Sequence, residues 1–77
     1  MAKVNHDMHY YDIIRVNIKK YRVVKGFTQQ RLADEAGISI DYLAEIESLK
    51  RRKSFSIAVL GRIADTLEVD IKKFFDK

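Results

Sequence analysis

The sequence holds no cysteine, no proline and no tryptophan, and only three glycines in 77 residues. Without cysteine there is neither a disulfide framework nor a thiolate metal site. Without proline, and with so little glycine, the chain lacks the composition of a disordered tail. Its 47% apolar content suits helices joined by short turns instead. No apolar run approaches the roughly 20 residues that span a bilayer, so no membrane association is expected. The polar start, Met1 to His9, has no apolar region to serve as a secretory signal. A cytoplasmic protein is expected from these absences. There is no Ser-His-Asp grouping on ordered elements and no phosphate-cradling glycine loop, so neither an enzyme, a cofactor nor a small-molecule ligand is expected. His6 and His9 stand three apart, but two ligands in a leader do not make a metal site.

What is present is a basic balance: 15 Lys and Arg against 11 Asp and Glu, a net charge of +4. That favours polyanionic partners. A chain this short buries about 60% of its unfolded surface, so it leans on efficient helix packing or on self-association. Residues 1–9 show no periodicity and read as a flexible leader; residues 10–77 read as one domain.

From Tyr11 onward, Ile14, Ile18 and Tyr21 recur at helical spacing, with Arg15, Lys19, Lys20 and Arg22 between them. Gly26 stops this helix near Lys25. Phe27 enters the core and Thr28 caps a second helix over Gln29 to Ala36, with Leu32, Ala33 and Ala36 inward. Gly37 closes it, and Ser39 caps a third helix from Ile40 to about Ser48, with Leu43 and Ile46 inward. Two helices joined by a tight glycine turn make a helix-turn-helix. The cations Lys50 to Lys53 repel one another and read as an exposed loop. A fourth helix follows Ser56, with Ile57, Leu60, Ile63, Ala64 and Leu67 as its stripe. Gly61 inside it costs about 1 kcal/mol, which a close approach of another backbone would explain. Asp70 caps a last short helix carrying Ile71, Phe74 and Phe75. The expected fold is all-α, a five-helix bundle. Tyr10, Tyr11, Tyr21, Phe27, Phe74 and Phe75 read as core or dimer residues.

The stretch Arg22-Val23-Val24-Lys25-Gly26-Phe27-Thr28-Gln29-Gln30-Arg31-Leu32-Ala33, followed by Ala36-Gly37-Ile38-Ser39, Ile46-Glu47 and Ile63-Ala64-Asp65-Thr66-Leu67, resembles the phage repressor and Cro-like helix-turn-helix family. That family includes controllers of restriction–modification genes. The resemblance implies a lambda-repressor-like bundle, with the helix-turn-helix in helices 2 and 3. It also implies a transcriptional regulator that binds double-stranded DNA. Carried over, it places Gln29 at a phosphate, where it steadies the third helix; Thr28 and Ser39 are caps first, with a phosphate contact in addition. Ser39, Ile40, Asp41, Tyr42 and Glu45 lie at or in the major groove, and Lys50, Arg51 and Arg52 flank the DNA backbone. Arg22 and Glu47 match a pair that forms an internal salt bridge in relatives. Leu49 replaces a usual glycine, the loop before the fourth helix is longer and lacks its proline, and Arg31 replaces the glutamate of a reciprocal capping box.

At 100° per residue, Asp41, Glu45 and Ser48 point away from Leu43 and Ile46. Glu or Asp on that face can accept from cytosine N4, although two acids at i and i+4 repel phosphate and each other. The basic run directly after this helix reads as a phosphate clamp. Adjacent Phe74 and Phe75 cannot both enter one core, so the expectation is a two-fold dimer through the C-terminal helix, on a palindromic operator. The alternative is a protein-interaction module that keeps the fold without DNA binding.

Overall fold

Side-chain oxygens start the helices. Thr28, Ser39 and Ser56 each accept from the backbone N–H three residues on, those of Arg31, Tyr42 and Val59, at 3.0–3.1 Å. Each cap satisfies a donor that the first helical turn leaves without a partner. The computed structural model describes residues 6–77. Its elements are α1 (His6–Val24), α2 (Gln29–Ala36), α3 (Ile40–Glu47), α4 (Ile57–Leu67) and a 3₁₀ turn (Ile71–Phe75). Among the described residues there is no strand, and no helix is long and apolar enough to cross a membrane.

Left-handed residues end α2 and α4. Gly37 takes φ 75° after α2, and Ile38 N–H returns to the Ala33 carbonyl at 3.0 Å. That sharp closure leaves only Ile38 between Gly37 and the cap of α3, and so sets the tight angle of the helix-turn-helix. Glu68 adopts the same conformation after α4 at φ 59°. Its carboxylate meets the Lys25 ammonium at 2.7 Å, which holds the carboxyl below the ordinary glutamate value.

The core joins Ile14 and Ile18 of α1, Phe27, then Leu32, Ala33 and Ala36 of α2, and Leu43 and Ile46 of α3. Phe55, the α4 stripe Leu60, Ile63, Ala64 and Leu67, and Phe74 complete it. Phe27 and Leu32 flank the α2 cap in the positions of a hydrophobic staple. Arg31, in place of the capping-box glutamate, pairs with Glu35 at 2.9 Å and lies over the Phe27 ring.

Four expectations are corrected. α1 begins at His6, five residues before the expected start at Tyr11; residues 1–5 lie outside the described residues. Nothing between His6 and Val24 breaks a helix, and elongation from a packed segment adds one hydrogen bond per residue. Secondly, the described residues form four α-helices, not five, because Ile71–Phe75 is a 3₁₀ turn. The Asn17 amide of α1 donates to the carbonyls of Phe74 and Asp76 at 2.8 and 2.7 Å, pinning a five-residue piece that suits i→i+3 bonding. Thirdly, Ile57 opens α4 but is 68% exposed.

The fourth concerns Gly61, where a β-carbon would meet nothing within 4 Å. Close approach of a backbone therefore does not account for it. Gly61→Ala is expected to add about 0.5–1 kcal/mol, a rise of roughly 3–6 °C in melting temperature. A thermal melt with no rise would show that the residue answers some other constraint.

Candidate nucleic-acid interface

α3 is held to α1 and α2 at its C-terminal end. Arg22 donates from Nε to Glu47 Oε2 at 2.8 Å and from Nη2 to Oε1 at 3.0 Å, and from Nη1 to the Phe27 carbonyl at 2.9 Å. Gln29, at the first position of α2, adds its Nε2 to Glu47 Oε1 at 3.0 Å. The Glu47 side chain is 3% exposed and that of Arg22 10%. The planar fork suits this bidentate pairing, and every carboxylate oxygen has a donor. Three elements thus meet at one carboxylate, and α3 stands in a fixed orientation.

The outer surface of α3 presents Ile40 and Asp41 exposed, with Ala44, Glu45 and Ser48 half-exposed. Tyr42 is half-buried, packs in part against the core, and has the Lys53 ammonium 5.9 Å from its ring centre. Ser39 and Thr28 sit exposed at the N-termini of α3 and α2, where free backbone N–H groups favour anions.

The helix ends at Ser48, whose backbone N–H reaches the Glu45 carbonyl. Its hydroxyl then accepts from the amides of Lys50 and Arg51 at 3.2 and 3.1 Å, forming a tight turn. The left-handed residue that a glycine usually supplies at Leu49 appears instead at Arg52, φ 49°. The longer loop lets the reversal occur three positions later. Its cations are distributed among carboxylates of the scaffold. Arg51 and Lys53 each lie 3.4 Å from Glu45, Arg52 lies 3.1 Å from Asp12, and among the described residues Lys50 has no acidic partner. Of the two acids on the outer surface of α3, Glu45 is therefore paired by the loop that follows it, and Asp41 is left exposed.

Arg15 underlies this loop and is fully buried. Its Nη1 donates to the carbonyls of Ile46 at 2.8 Å and Lys53 at 3.1 Å, and its Nε to Asp12 Oδ1 at 3.0 Å. Phe55, with Tyr11 edge-on at 4.9 Å and its hydroxyl on the Phe55 carbonyl, closes the loop onto the core. Asp12, Arg15 and Asn17 went unrecognised in the sequence. The available signal was an arginine inside the Ile14–Ile18 stripe, where a charged side chain is buried only if it is bonded.

Phe74 is fully buried and meets Tyr21 edge-on at 5.3 Å, so it belongs to the chain's own core and not to a partner surface. Phe75 is 43% exposed. It lines an open groove of about 460 Å³ with Tyr10, Ile57, Ile14 and Leu60. Among the described residues no group of three His, Cys, Asp or Glu residues is placed to hold a metal; the His9 side chain is exposed and meets the Tyr10 ring edge-on.

This geometry is that of a phage repressor and Cro-like helix-turn-helix, and the comparisons agree. A family model described as helix-turn-helix matches residues 18–74, and the chain belongs to that family. It is 37% identical over 59 residues to the HTH-type transcriptional regulator SlrR of Bacillus subtilis, covering 77% of this chain and 38% of SlrR. It is 32% identical over 65 residues to the regulator SinR of the same organism, covering 84% of this chain and 58% of SinR. The chain thus spans roughly two-fifths and three-fifths of these relatives. The crystal structure of SinR in complex with DNA superimposes with a TM-score of 0.74 at 33% identity, covering 82% of this chain and 98% of that one.

Proposed function

We propose that the chain is a sequence-specific, double-stranded-DNA-binding transcriptional regulator that acts in the cytoplasm as a homodimer on a palindromic operator. Residues 10–77 act as its DNA-binding domain. The observation that carries this reading is the junction of α3 with the basic loop. A helix locked at Glu47 exposes one face, and the cations that follow neutralise its acid at Glu45. The likeness to SinR, solved in complex with DNA, supports it.

In this reading Lys50, Arg51 and Arg52 bind phosphates, and the Thr28–Gln29 and Ser39 N-termini bind phosphates through backbone N–H groups. Ile40, Asp41, Tyr42 and Glu45 face the base edges. Tyr10, Ile57 and Phe75 form the two-fold interface, which sets the two α3 helices to half-sites about 34–36 Å apart.

The test is a titration of variants against a duplex selected from a random pool, and against its single-base changes, at several salt concentrations. Replacing Lys50 or Arg51 is expected to flatten log affinity against log salt by roughly 0.9 and to weaken all duplexes alike. Glu45→Ala frees Arg51 and Lys53, so affinity for any duplex rises. Discrimination at one base pair containing cytosine falls by about 1–3 kcal/mol. An unchanged preference in Glu45→Ala would sink this division of roles. Absence of any salt-dependent retention on DNA would favour an interaction module instead.

A further inference from the structure

Building on the DNA-binding reading, we propose that Arg15, oriented by Asp12, positions the basic loop and so governs how many phosphates its cations reach. Residues 46 and 53 bracket the loop, and their carbonyls converge on one nitrogen, Arg15 Nη1, at 2.8 and 3.1 Å. The Asp12 carboxylate spans the same junction from the other side, with Oδ1 on Arg15 Nε and Oδ2 on Arg52 Nη2, at 3.0 and 3.1 Å. α1 therefore holds both ends of the loop and its middle. This explains how a run of four cations, which repel one another, keeps a definite shape beside α3. It also explains a fully buried arginine that contributes nothing to the outer surface. A lysine cannot replace it, because an ammonium on a flexible stem does not present the fixed fork that reaches two carbonyls and a carboxylate together. Both are positioning residues: neither has to touch DNA.

The experiment compares the protein with Arg15→Lys, Asp12→Asn and, as a control of lowered stability, Ile63→Val in α4. Amide exchange of residues 48–54 is measured at a temperature where circular dichroism shows each variant folded, beside duplex titrations over a range of salt. Arg15→Lys is expected to speed loop exchange about tenfold. It should also flatten the salt dependence by about one phosphate contact or more, while the ranking of single-base changes stays as it was. Asp12→Asn, half-exposed and mild in effect on folding, is expected to speed exchange at residues 50–52. Ile63→Val lowers the melting temperature and moves neither readout. The proposal is overturned if Arg15→Lys or Asp12→Asn leaves loop exchange as in the parent protein, or if Ile63→Val flattens the salt dependence equally. Loss of the DNA-binding reading is recognised separately, as a parent protein with no salt-dependent duplex binding; the exchange data then decide the loop's anchoring alone.

Discussion

Glu47→Ala is expected to lower the stability of the domain by about 3 kcal/mol, because it leaves the Arg22 guanidinium buried without its anion. The remaining acceptor for Arg22 is the Phe27 carbonyl, and Gln29 loses its partner on α3 as well. For a domain of this size the loss corresponds to roughly 15 °C or more in melting temperature. Arg22→Met strands the carboxylate instead and should cost a similar amount. The double change Arg22→Met with Glu47→Leu should recover most of it, since a buried ion pair replaced by packed apolar groups is often neutral or better. With Glu47→Leu measured alone as well, the melts of the parent, Arg22→Met, Glu47→Leu and the double variant make a double-mutant cycle with a large coupling term. Single variants that each cost under about 1 kcal/mol would mean that the pair behaves as a surface contact. The double variant carries a second expectation: α3, tied to α2 only by packing and to α1 through the Arg15 bond to the Ile46 carbonyl, should discriminate less sharply between duplexes even where stability is restored.

Phe74→Ala is expected to cost about 3–5 kcal/mol, the usual range for emptying a fully buried phenylalanine site. The ring is inaccessible to solvent and joins the 3₁₀ turn to α1 through Tyr21. Phe75→Ala, one residue on, should change the intrinsic stability by no more than about 0.5 kcal/mol. Its effect falls on association. Phe75→Asp places a charge in the groove shared with Tyr10 and Ile57, so sedimentation should show monomer where the parent chain dimerises. The melting temperature of the parent should rise with protein concentration, and that of Phe75→Asp should not. A parent chain that stays monomeric at high micromolar concentration, or a Phe75→Asp variant that dimerises unchanged, rules out this interface.

How far α3 and its surroundings were legible in the sequence differs from residue to residue. Thr28, Ser39 and Ser56 announce helix starts because a cap is a local event, settled within three residues. Gly37 announces the turn for the same reason. Arg22 and Glu47 were paired through the family resemblance alone. Their spacing of 25 residues carries no periodic signal of its own. The contact between Lys53 and the Tyr42 ring, 11 residues apart across the loop, likewise has no periodic signal.

The sequence by itself determined the all-helical class, the helix-turn-helix and the inward stripes of α2, α3 and, Ile57 apart, α4, since these follow from apolar spacing, caps and the absence of breakers over short distances. Only the tertiary structure decided that Arg15 lies in the core, that Phe74 is buried while Phe75 is not, and that the last turn is 3₁₀. The physical reason is common to all three: each outcome depends on which backbone carbonyls and side chains α1 meets from segments far away in the chain. Arg15 is buried because carbonyls 31 and 38 residues distant receive its protons, and the 3₁₀ turn is set by Asn17, 57 residues before one of the carbonyls it holds. Such partners are supplied by the packing of the whole chain, and no local pattern encodes them.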